Sequence, residues 1–116
     1  ILSYVANYSE TLDNVFAALS DPTRRAVVRR LGAGEASVSD LAADTSMALP
    51  SFLKHVRTLE RSGIVRTSKV GRVRMCSLRR EQLAAIDDWL IAQRRVWEER
   101  TDRLEDLVTC PEQEET

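Results

Sequence analysis

The chain of 116 residues has little of what most catalytic sites need. It contains one histidine, two cysteines, four glycines and three prolines, and aromatic residues make up 5% of it. Around the single histidine, His55, no Ser/His/Asp or Cys/His arrangement is indicated, and the four glycines form no phosphate-binding loop. We therefore expect neither an enzyme nor a bound cofactor.

Long apolar runs are also missing. None approaches the roughly 20 residues that a membrane-spanning helix requires, and no charged-then-apolar signal segment opens the sequence. The two cysteines are far apart in the sequence, in a chain long enough to bury a core, which favours a reducing compartment. We therefore expect a cytoplasmic protein that has no membrane partner.

The whole chain has almost no net charge, but its segments differ in charge. The formal net charge is −1, which taken alone argues against a nucleic-acid partner. Residues 47–80, however, hold nine Lys/Arg and one acid, whereas residues 81–116 hold four Arg and eleven acids. A basic module between acidic flanks is the charge distribution expected of a protein that binds double-stranded DNA.

Residues 39–62 have the pattern of two helices joined by a tight turn. Asp44, Thr45 and Ser46 favour the turn, because their short polar side chains bond to nearby backbone. Pro50 fits the first turn of the second helix, where a missing N–H costs nothing, and Gly63 is a suitable stop. The second helix is therefore predicted over about residues 48–62.

The helical wheel of this second helix separates a core face from a cationic face. Phe52, Val56 and Leu59 share the core face. The DNA-reading residues that we predict on the opposite face and its flanks are Ser51, Leu53, Lys54 and Arg57. Cations there can bind phosphates and bases, and apolar groups can contact thymine methyls. An ordinary solvated amphipathic helix would show the same wheel, so the wheel alone does not decide.

Residues 64–78 predict a β-hairpin directly after this helix. Valine, isoleucine and threonine favour strands, and Gly71 places the turn near residues 70–71. Lys69, Arg72 and Arg74 crowd the tip. A basic hairpin that follows a helix-turn-helix is typical of a winged helix, whose wing reaches phosphates or an adjacent minor groove. The alternative is a plain solubilising hairpin.

The other elements predict a mainly α fold with a small β-hairpin, in the order α-α-α-α-β-β-α. Helices are predicted over residues 11–19, over 22–31 after an Asp21 cap, from Ser37, and over 80–109. We expect one domain over residues 10–110. Residues 1–9 either extend the first helix, pack on a partner or are disordered, and residues 111–116 form an acidic, disordered tail.

The second helix carries an arginine-rich surface. We expect its arginines on an outer, solvated face, with phosphate contacts as the less favoured alternative. They are Arg24, Arg25, Arg29 and Arg30. Ala26 is expected to point inward together with Val27 and Leu31.

Three segments carry specific motifs. They are ALSDPTRRAVVRRL at residues 18–31, GEASVSDLA at 34–42, and LPSFLKHVRTLERSGIVRTSKVGRVRMCSL at 49–78. Together they resemble the ArsR (ArsR/SmtB-type) winged-helix transcriptional repressors, over about residues 10–108. The resemblance implies a DNA-binding repressor and a homodimer formed by the first and last helices.

The last helix is also too long for a domain of this size to cover. It carries both tryptophans, and large aromatics outside a core indicate a self-association surface. The residues expected at this surface are Leu12, Phe16, Trp89, Val96, Trp97, Leu104 and Leu107. A dimer would place two recognition helices about one DNA turn apart, so the operator is expected to be an inverted repeat.

Metal sensing is a property of the family that this chain is not expected to share. The arsenic-type sensors carry a cysteine pair at the start of the third helix, where this chain has EASVSD at residues 35–40. The zinc-type sensors use histidines and carboxylates of the last helix, which here has no histidine. Thiolates and imidazoles are the ligands that select such metals, so no metal site is predicted.

Three side chains leave alternatives open. His55 lies near the edge of the core sector, and a structural role is favoured over a DNA contact. Cys76 is expected to face inward as an apolar filler, and Cys110 to be exposed at the end of the long helix. The remaining alternatives are a thiol-based redox-sensing repressor that uses these two cysteines and a winged helix that binds protein.

Overall fold

The computed structural model describes residues 2–115, and it describes side chains for residues 10–108. Its helices are α1 (Leu2–Leu19), α2 (Pro22–Leu31), α3 (Val38–Ala43), α4 (Leu49–Arg61) and α5 (Arg80–Glu115), and its strands are β1 (Ala36–Ser37), β2 (Val65–Val70) and β3 (Val73–Leu78). The chain divides into two compact units, residues 1–85 and 86–116, here called the first unit and the second unit. The predicted mainly α fold with a β-hairpin is confirmed.

Local hydrogen bonds explain where α2 and α3 begin. At α2 the Asp21 carboxylate accepts the backbone N–H of Arg24 at 3.0 Å, and Pro22 fills the first helical position. At α3 the Ser37 hydroxyl accepts the backbone N–H of Asp40 at 3.0 Å. Each bond satisfies one of the N–H groups that a helix start leaves without a partner. Both predicted starts are confirmed.

A glycine with positive φ ends α4. Gly63 has φ 81°, its N–H donates to the carbonyl of Glu60 at 3.1 Å, and the N–H of Ile64 donates to the carbonyl of Leu59 at 3.2 Å. These bonds satisfy last-turn carbonyls of the helix in the manner of a Schellman motif. A Cβ at Gly63 would also lie 2.9 Å from Cγ of Gln82. The predicted stop at Gly63 is confirmed.

The sheet contains one strand more than the predicted hairpin. The strand order is β1-β3-β2, antiparallel throughout, with Ala36 of β1 opposite Cys76 of β3. In the hairpin Val70 lies opposite Val73, and Gly71, with φ 65°, opens the two-residue turn. A strand of two residues has no alternating pattern that a sequence can reveal, so the sequence does not predict β1.

The core of the first unit is built from the inward faces of four helices and the base of the sheet. The buried apolar residues are Leu12, Val15, Ala18, Val27, Leu31, Ala36, Val38, Leu41, Phe52, Val56, Leu59, Ile64, Val65 and Cys76. Helix α2 contacts both α1 and α4, and α4 contacts β2. The predicted core face of α4 is confirmed. Ala26 is a correction: it is exposed, because it lines an open cleft beside Asp44 and Thr45.

Both terminal helices are longer than predicted. Helix α1 begins at Leu2, so residues 2–9 extend the first helix, which is one of the three alternatives for that segment. Helix α5 continues to Glu115 instead of ending near Thr109, and it includes residues 111–115, which were expected to be disordered. Glutamate and glutamine are good helix formers, and they continue the helix past Pro111. Over the described residues, none of the helices combines the length and the apolar character that a membrane span requires.

Candidate nucleic-acid interface

Short polar side chains fix the turn between α3 and α4. The Thr45 hydroxyl donates to the carbonyl of Ala42 at 3.1 Å and accepts the backbone N–H of Met47 at 3.3 Å. The carboxylate of Asp44 lies 3.7 Å from Nε of Arg30 on α2. These contacts set the direction in which α4 leaves the turn, and they confirm Asp44 and Thr45 as turn residues.

The outer face of α4 is cationic and open. Ser51, Lys54 and Arg57 are exposed, and Leu53 is half-buried. Within the described part of the chain, the side chains of Lys54 and Arg57 bond to no carboxylate. The structure thus brings together the four residues predicted on this helix, on a face available to an anionic partner.

The wing projects from the body of the first unit. Every residue from 68 to 74 is exposed, whereas the base of the hairpin contributes Val65 to the core. Lys69 lies opposite Arg74 in the register, and Arg72 lies in the turn. Among the residues that the structure describes, none of these three cations forms an ion pair. The predicted wing residues therefore form a second cationic surface.

The one acid of residues 47–80 points toward the wing. The Thr67 hydroxyl of β2 donates to the carboxylate of Glu60 on α4. This contact links the helix to the hairpin and occupies the only carboxylate of the basic segment. Among the described residues, Glu60 forms no ion pair with Lys54 or Arg57.

Three exposed apolar side chains near these cations were not predicted. Leu49, at the first position of α4, is 53% exposed, and Val70 and Val73 flank the wing turn and are also exposed. Leu49 and Leu53 are four residues apart and therefore lie on one side of the helix. This spacing is visible in the sequence, and it could have placed Leu49 on the predicted reading face.

A hydrogen-bonded cluster lies beside α4, at the start of α2. Nδ1 of His55 is 3.0 Å from Nη1 of Arg24 and 3.7 Å from Oδ2 of Asp21. Arg24 also donates through Nε to the carbonyl of Ala18 at 2.6 Å, and through Nη2 to that of Ala17 at 3.1 Å. His55 is half-buried and held by side chains. Arg24 is a correction, because these bonds draw it away from the solvated face on which it was expected.

The Asp21 carboxyl at this cluster has a pKa below its ordinary value. Burial acts to raise that pKa, but the backbone N–H of Arg24, the charge of His55 in its protonated form, the charge of Arg24, and the backbone N–H of Thr23 lower it. Hydrogen bonds to a carboxylate and nearby positive charges both favour its ionised form. The α2 cap therefore carries a negative charge at neutral pH.

Cys76 is sealed inside the sheet. It has no exposed surface, as predicted for an apolar filler. Burial raises the pKa of its thiol, the Glu60 carboxylate adds to that effect, and Arg74 opposes it. Since the thiolate is the reactive form, a buried and protonated thiol argues against a redox role for Cys76. The side chain of Cys110 lies outside the described residues.

The residues expected at a self-association surface divide between core and surface. Leu12 is a correction: it is 8% exposed and belongs to the core of the first unit, because it lies on the inward stripe of α1 with Val15. Phe16, on the same helix, is 41% exposed. In the second unit the exposed members are Trp89, Val96, Trp97, Leu104 and Leu107, and the exposed side chains of Ile91 and Val108 join them.

The metal ligands that the family resemblance would imply do not fit this chain. Residues 35–40 run through β1 into α3 without a thiol, and α5 has no histidine. In the part of the chain that the structure describes, no three His, Cys, Asp or Glu side chains are grouped so that they could hold a metal ion.

A helix-turn-helix followed by a basic antiparallel hairpin defines a winged helix-turn-helix DNA-binding protein. Residues 19–68 match the family described as "Helix-turn-helix domain". The chain is 52% identical to RHA00566, an ArsR family transcriptional regulator of known crystal structure, over 78% of this chain and 93% of that one, with a TM-score of 0.75. The chain therefore belongs to the ArsR family of transcriptional regulators.

Two further proteins are similar to this chain. The transcriptional repressor SdpR of Bacillus subtilis (strain 168) is 29% identical over 80 residues, which are 69% of this chain and 89% of SdpR. The homodimeric winged helix-turn-helix DNA-binding domain of Mb0332 from Mycobacterium bovis has a TM-score of 0.62 over 78% of this chain and 86% of that one. Its sequence identity is 20%, so this second likeness shows the fold alone.

Proposed function

We propose that the protein is a homodimeric repressor that binds an inverted-repeat DNA operator through α4 and the wing. The observation that carries this proposal is the pair of exposed cationic surfaces described above. A cation that has no carboxylate partner is ready to neutralise a DNA phosphate and release its counterions. The single acid of the basic segment, Glu60, is bonded to Thr67 and, among the described residues, pairs with none of these cations.

The cationic surfaces of α4 and of the wing would have different roles in DNA recognition. Ser51, Leu53, Lys54 and Arg57 of α4 enter the major groove, where hydrogen bonds to base edges and contacts with thymine methyls distinguish sequences. The N-terminal turn of α4 carries no acid and no side-chain cap, which favours an anionic neighbour there.

The wing cations contact the backbone or the adjacent minor groove. Lys69, Arg72 and Arg74 act mainly on affinity, because phosphate contacts position a protein without reading its sequence. Val70 and Val73 at the tip add apolar surface that can lie against sugars at the groove edge.

Dimerisation is supported by the exposed apolar side chains of the second unit. Soluble chains seldom leave such a surface uncovered, and the similar Mb0332 domain is described as homodimeric. Two subunits related by a two-fold axis would read two half-sites of opposite direction. Repression is supported by the similarity to the repressor SdpR.

Regulation by a metal ion at the family's usual sites is not part of this proposal. The thiols of one site and the histidines of the other are absent from the sequence, and carboxylates alone do not select thiophilic metals. We propose DNA binding that persists in the presence of a chelator and is unchanged by added zinc. Measured operator affinity with and without each additive tests this point.

The proposed function is tested by titrating the protein against DNA from around its own gene at several salt concentrations, with footprinting. We expect a protected inverted repeat and a slope of log K against log salt of about −0.9 for each phosphate contacted. The variants Lys69→Ala and Arg72→Ala should make that slope shallower. Weak binding everywhere with no footprint, combined with retention of a protein ligand at high salt, would favour a protein-binding winged helix instead.

A further inference from the structure

Arg24 bonds to two helices at once. Its Nε and Nη2 donate to the carbonyls of Ala18 and Ala17 at 2.6 and 3.1 Å, and its Nη1 lies 3.0 Å from Nδ1 of His55. The carbonyls of the last turn of a helix have no partner within that helix. One rigid group, the guanidinium, therefore bonds to last-turn carbonyls of α1 and also contacts His55 in the middle of α4.

The chemistry of the guanidinium fixes the state of the histidine. Arginine has donors only, held in a planar fork. In the Arg24–His55 contact Nδ1 must therefore be the acceptor, which places the imidazole proton on Nε2. Asp21 is the third member of this cluster: its carboxylate accepts the backbone N–H of Arg24 at 3.0 Å and lies 3.7 Å from Nδ1 of His55.

We propose that Arg24 is a positioning residue for DNA binding, which acts through His55 to fix α4 against the end of α1. This inference rests on the proposed function of α4 as the reading helix. His55 lies between Lys54 and Arg57 in sequence, so a rotation of α4 about its axis would displace both cations. Recognition groups must be held to within about 0.5 Å and 10–20° of their working geometry, and one anchored side chain on the helix provides that constraint.

The contact also has a consequence for the spacing of half-sites. Helix α1 carries the exposed Phe16, directly before Ala17 and Ala18, and it is one of the two helices proposed to meet a second subunit. A link from α1 to α4 thus ties the reading helix to the dimer interface rather than to the core alone. Without this link the distance between the two reading helices of the dimer would be less fixed. Binding to two half-sites at a set spacing should therefore be weaker.

Protonation of His55 would break the contact. A proton on Nδ1 removes the acceptor and places an imidazolium 3.0 Å from a guanidinium. Asp21 is the only other charged side chain in contact with this imidazole among the described residues, and the neighbours of His55 one turn away on α4, Ser51 and Leu59, are uncharged. Operator affinity should therefore depend on an uncharged acceptor at position 55.

The first experiment reads the contact without DNA. His55 is the only histidine of the chain, so its imidazole ¹⁵N signals are assigned without ambiguity. At about pH 8 we expect the Nε2–H tautomer in the wild type and in Arg25→Ala, and a mixture of tautomers in Arg24→Ala. Arg25 is a matched control, because it donates to the carbonyl of Leu19 at 2.8 Å but, within the described part of the chain, not to α4. A wild-type Nδ1–H tautomer would overturn the inference.

The second experiment measures operator affinity. We expect Arg24→Ala and His55→Leu each to weaken binding about fivefold or more, the scale of one lost hydrogen bond. The double variant should bind no more weakly than the single variant that has the lower affinity. Arg25→Ala should stay within about twofold of the wild type. His55→Asn keeps an acceptor near Nδ1, so its affinity should stay closer to that of the wild type than the affinity of His55→Leu does.

The outcomes separate this inference from the function on which it rests. Wild-type affinity in a folded Arg24→Ala variant, equal losses in Arg24→Ala and Arg25→Ala, or equal losses in His55→Asn and His55→Leu would each overturn the positioning role alone. Failure of the wild type to bind any operator would overturn the proposed function as well. If Arg24→Ala does not fold, the affinities of His55→Asn and His55→Leu test the positioning role in its place.

Discussion

Helix α4 and the part of α5 in the second unit differ in what they bury and in what they expose. Helix α4 buries Phe52, Val56 and Leu59 and exposes cations, whereas no residue from 86 to 108 of α5 is fully buried. Exposed cations stay hydrated until a polyanion replaces the water, but large apolar groups lose water only against another apolar surface. The difference supports the proposed nucleic-acid partner for α4 and the proposed second subunit for α5.

The largest effect is expected from the buried side of α4. Phe52 is fully buried, so Phe52→Ala should lower the free energy of unfolding by about 3–5 kcal/mol through lost contacts and a residual cavity. Leu49→Ala, on the exposed side of the same helix, should change it by about 0.5 kcal/mol or less. Urea titrations followed by circular dichroism measure both. Equal losses would show that α4 does not bury one face as described.

The apolar side of α5 provides the next test. Trp97 is 52% and Leu104 64% exposed, and they lie within about 20° of each other on the helix. Trp97→Glu combined with Leu104→Glu should weaken dimerisation by about 2 kcal/mol or more, as measured by sedimentation equilibrium. Glu99→Ala, on the opposite side of α5, should leave the dimer intact. A wild type that is monomeric at every concentration would contradict the dimer proposal.

The exposed side of α4 should show an effect of similar or smaller size. Lys54→Ala and Arg57→Ala should each weaken operator binding by about 1–3 kcal/mol where the residue contacts a base. Arg29→Ala removes an exposed cation from α2 and is the matched control. Fluorescence anisotropy with the footprinted operator measures all three. Unchanged affinity in both α4 variants would mean that another face of the domain reads DNA.

The smallest effect concerns the cap that holds the α2 end of the cluster. Asp21→Ala should lower the free energy of unfolding by about 1 kcal/mol, and Asp21→Asn, which can still cap, by less. Because the pKa of Asp21 is lowered from 3.8, its contribution is present above that value and lost as pH falls through the folded-state pKa.

Urea midpoints between about pH 2 and 6 separate the charge of Asp21 from its capping role. Stability of the wild type should decline below about pH 4, and Asp21→Asn should lack that part of the decline because it has no carboxyl group. The same acid dependence in both proteins would show that Asp21 gains nothing from its neighbours.

Features set by near neighbours in the chain were predictable. The caps at Asp21 and Ser37, the end of α4 at Gly63 and the turn at Gly71 depend on residues within a few positions. The core face of α4 and its cationic face also follow from one helix and its 3.6-residue period. The reading face and the wing could therefore be located, although their contact with DNA stays a prediction.

Features set by distant neighbours were not predictable. Arg24 and His55 are 31 residues apart, and nothing in either local pattern distinguishes them from a solvated arginine and a core-edge histidine. Leu12 belongs to the same apolar stripe as Phe16, but only the packing of α1 on its neighbours decides which one is covered. Strand β1 is two residues long and exists through its pairing with β3.

Sequence alone therefore sets which segments become helices, where α2 and α3 start, where α4 stops, and which chemical character each face has, because those properties depend on short-range bonds and periodicity. Tertiary structure decides which faces remain exposed, that Glu60 is bonded to Thr67, and that Arg24 joins α1 to His55. Those outcomes depend on side chains that only folding brings within bonding distance, and the entropy of ordering them is offset by contacts that no local pattern contains.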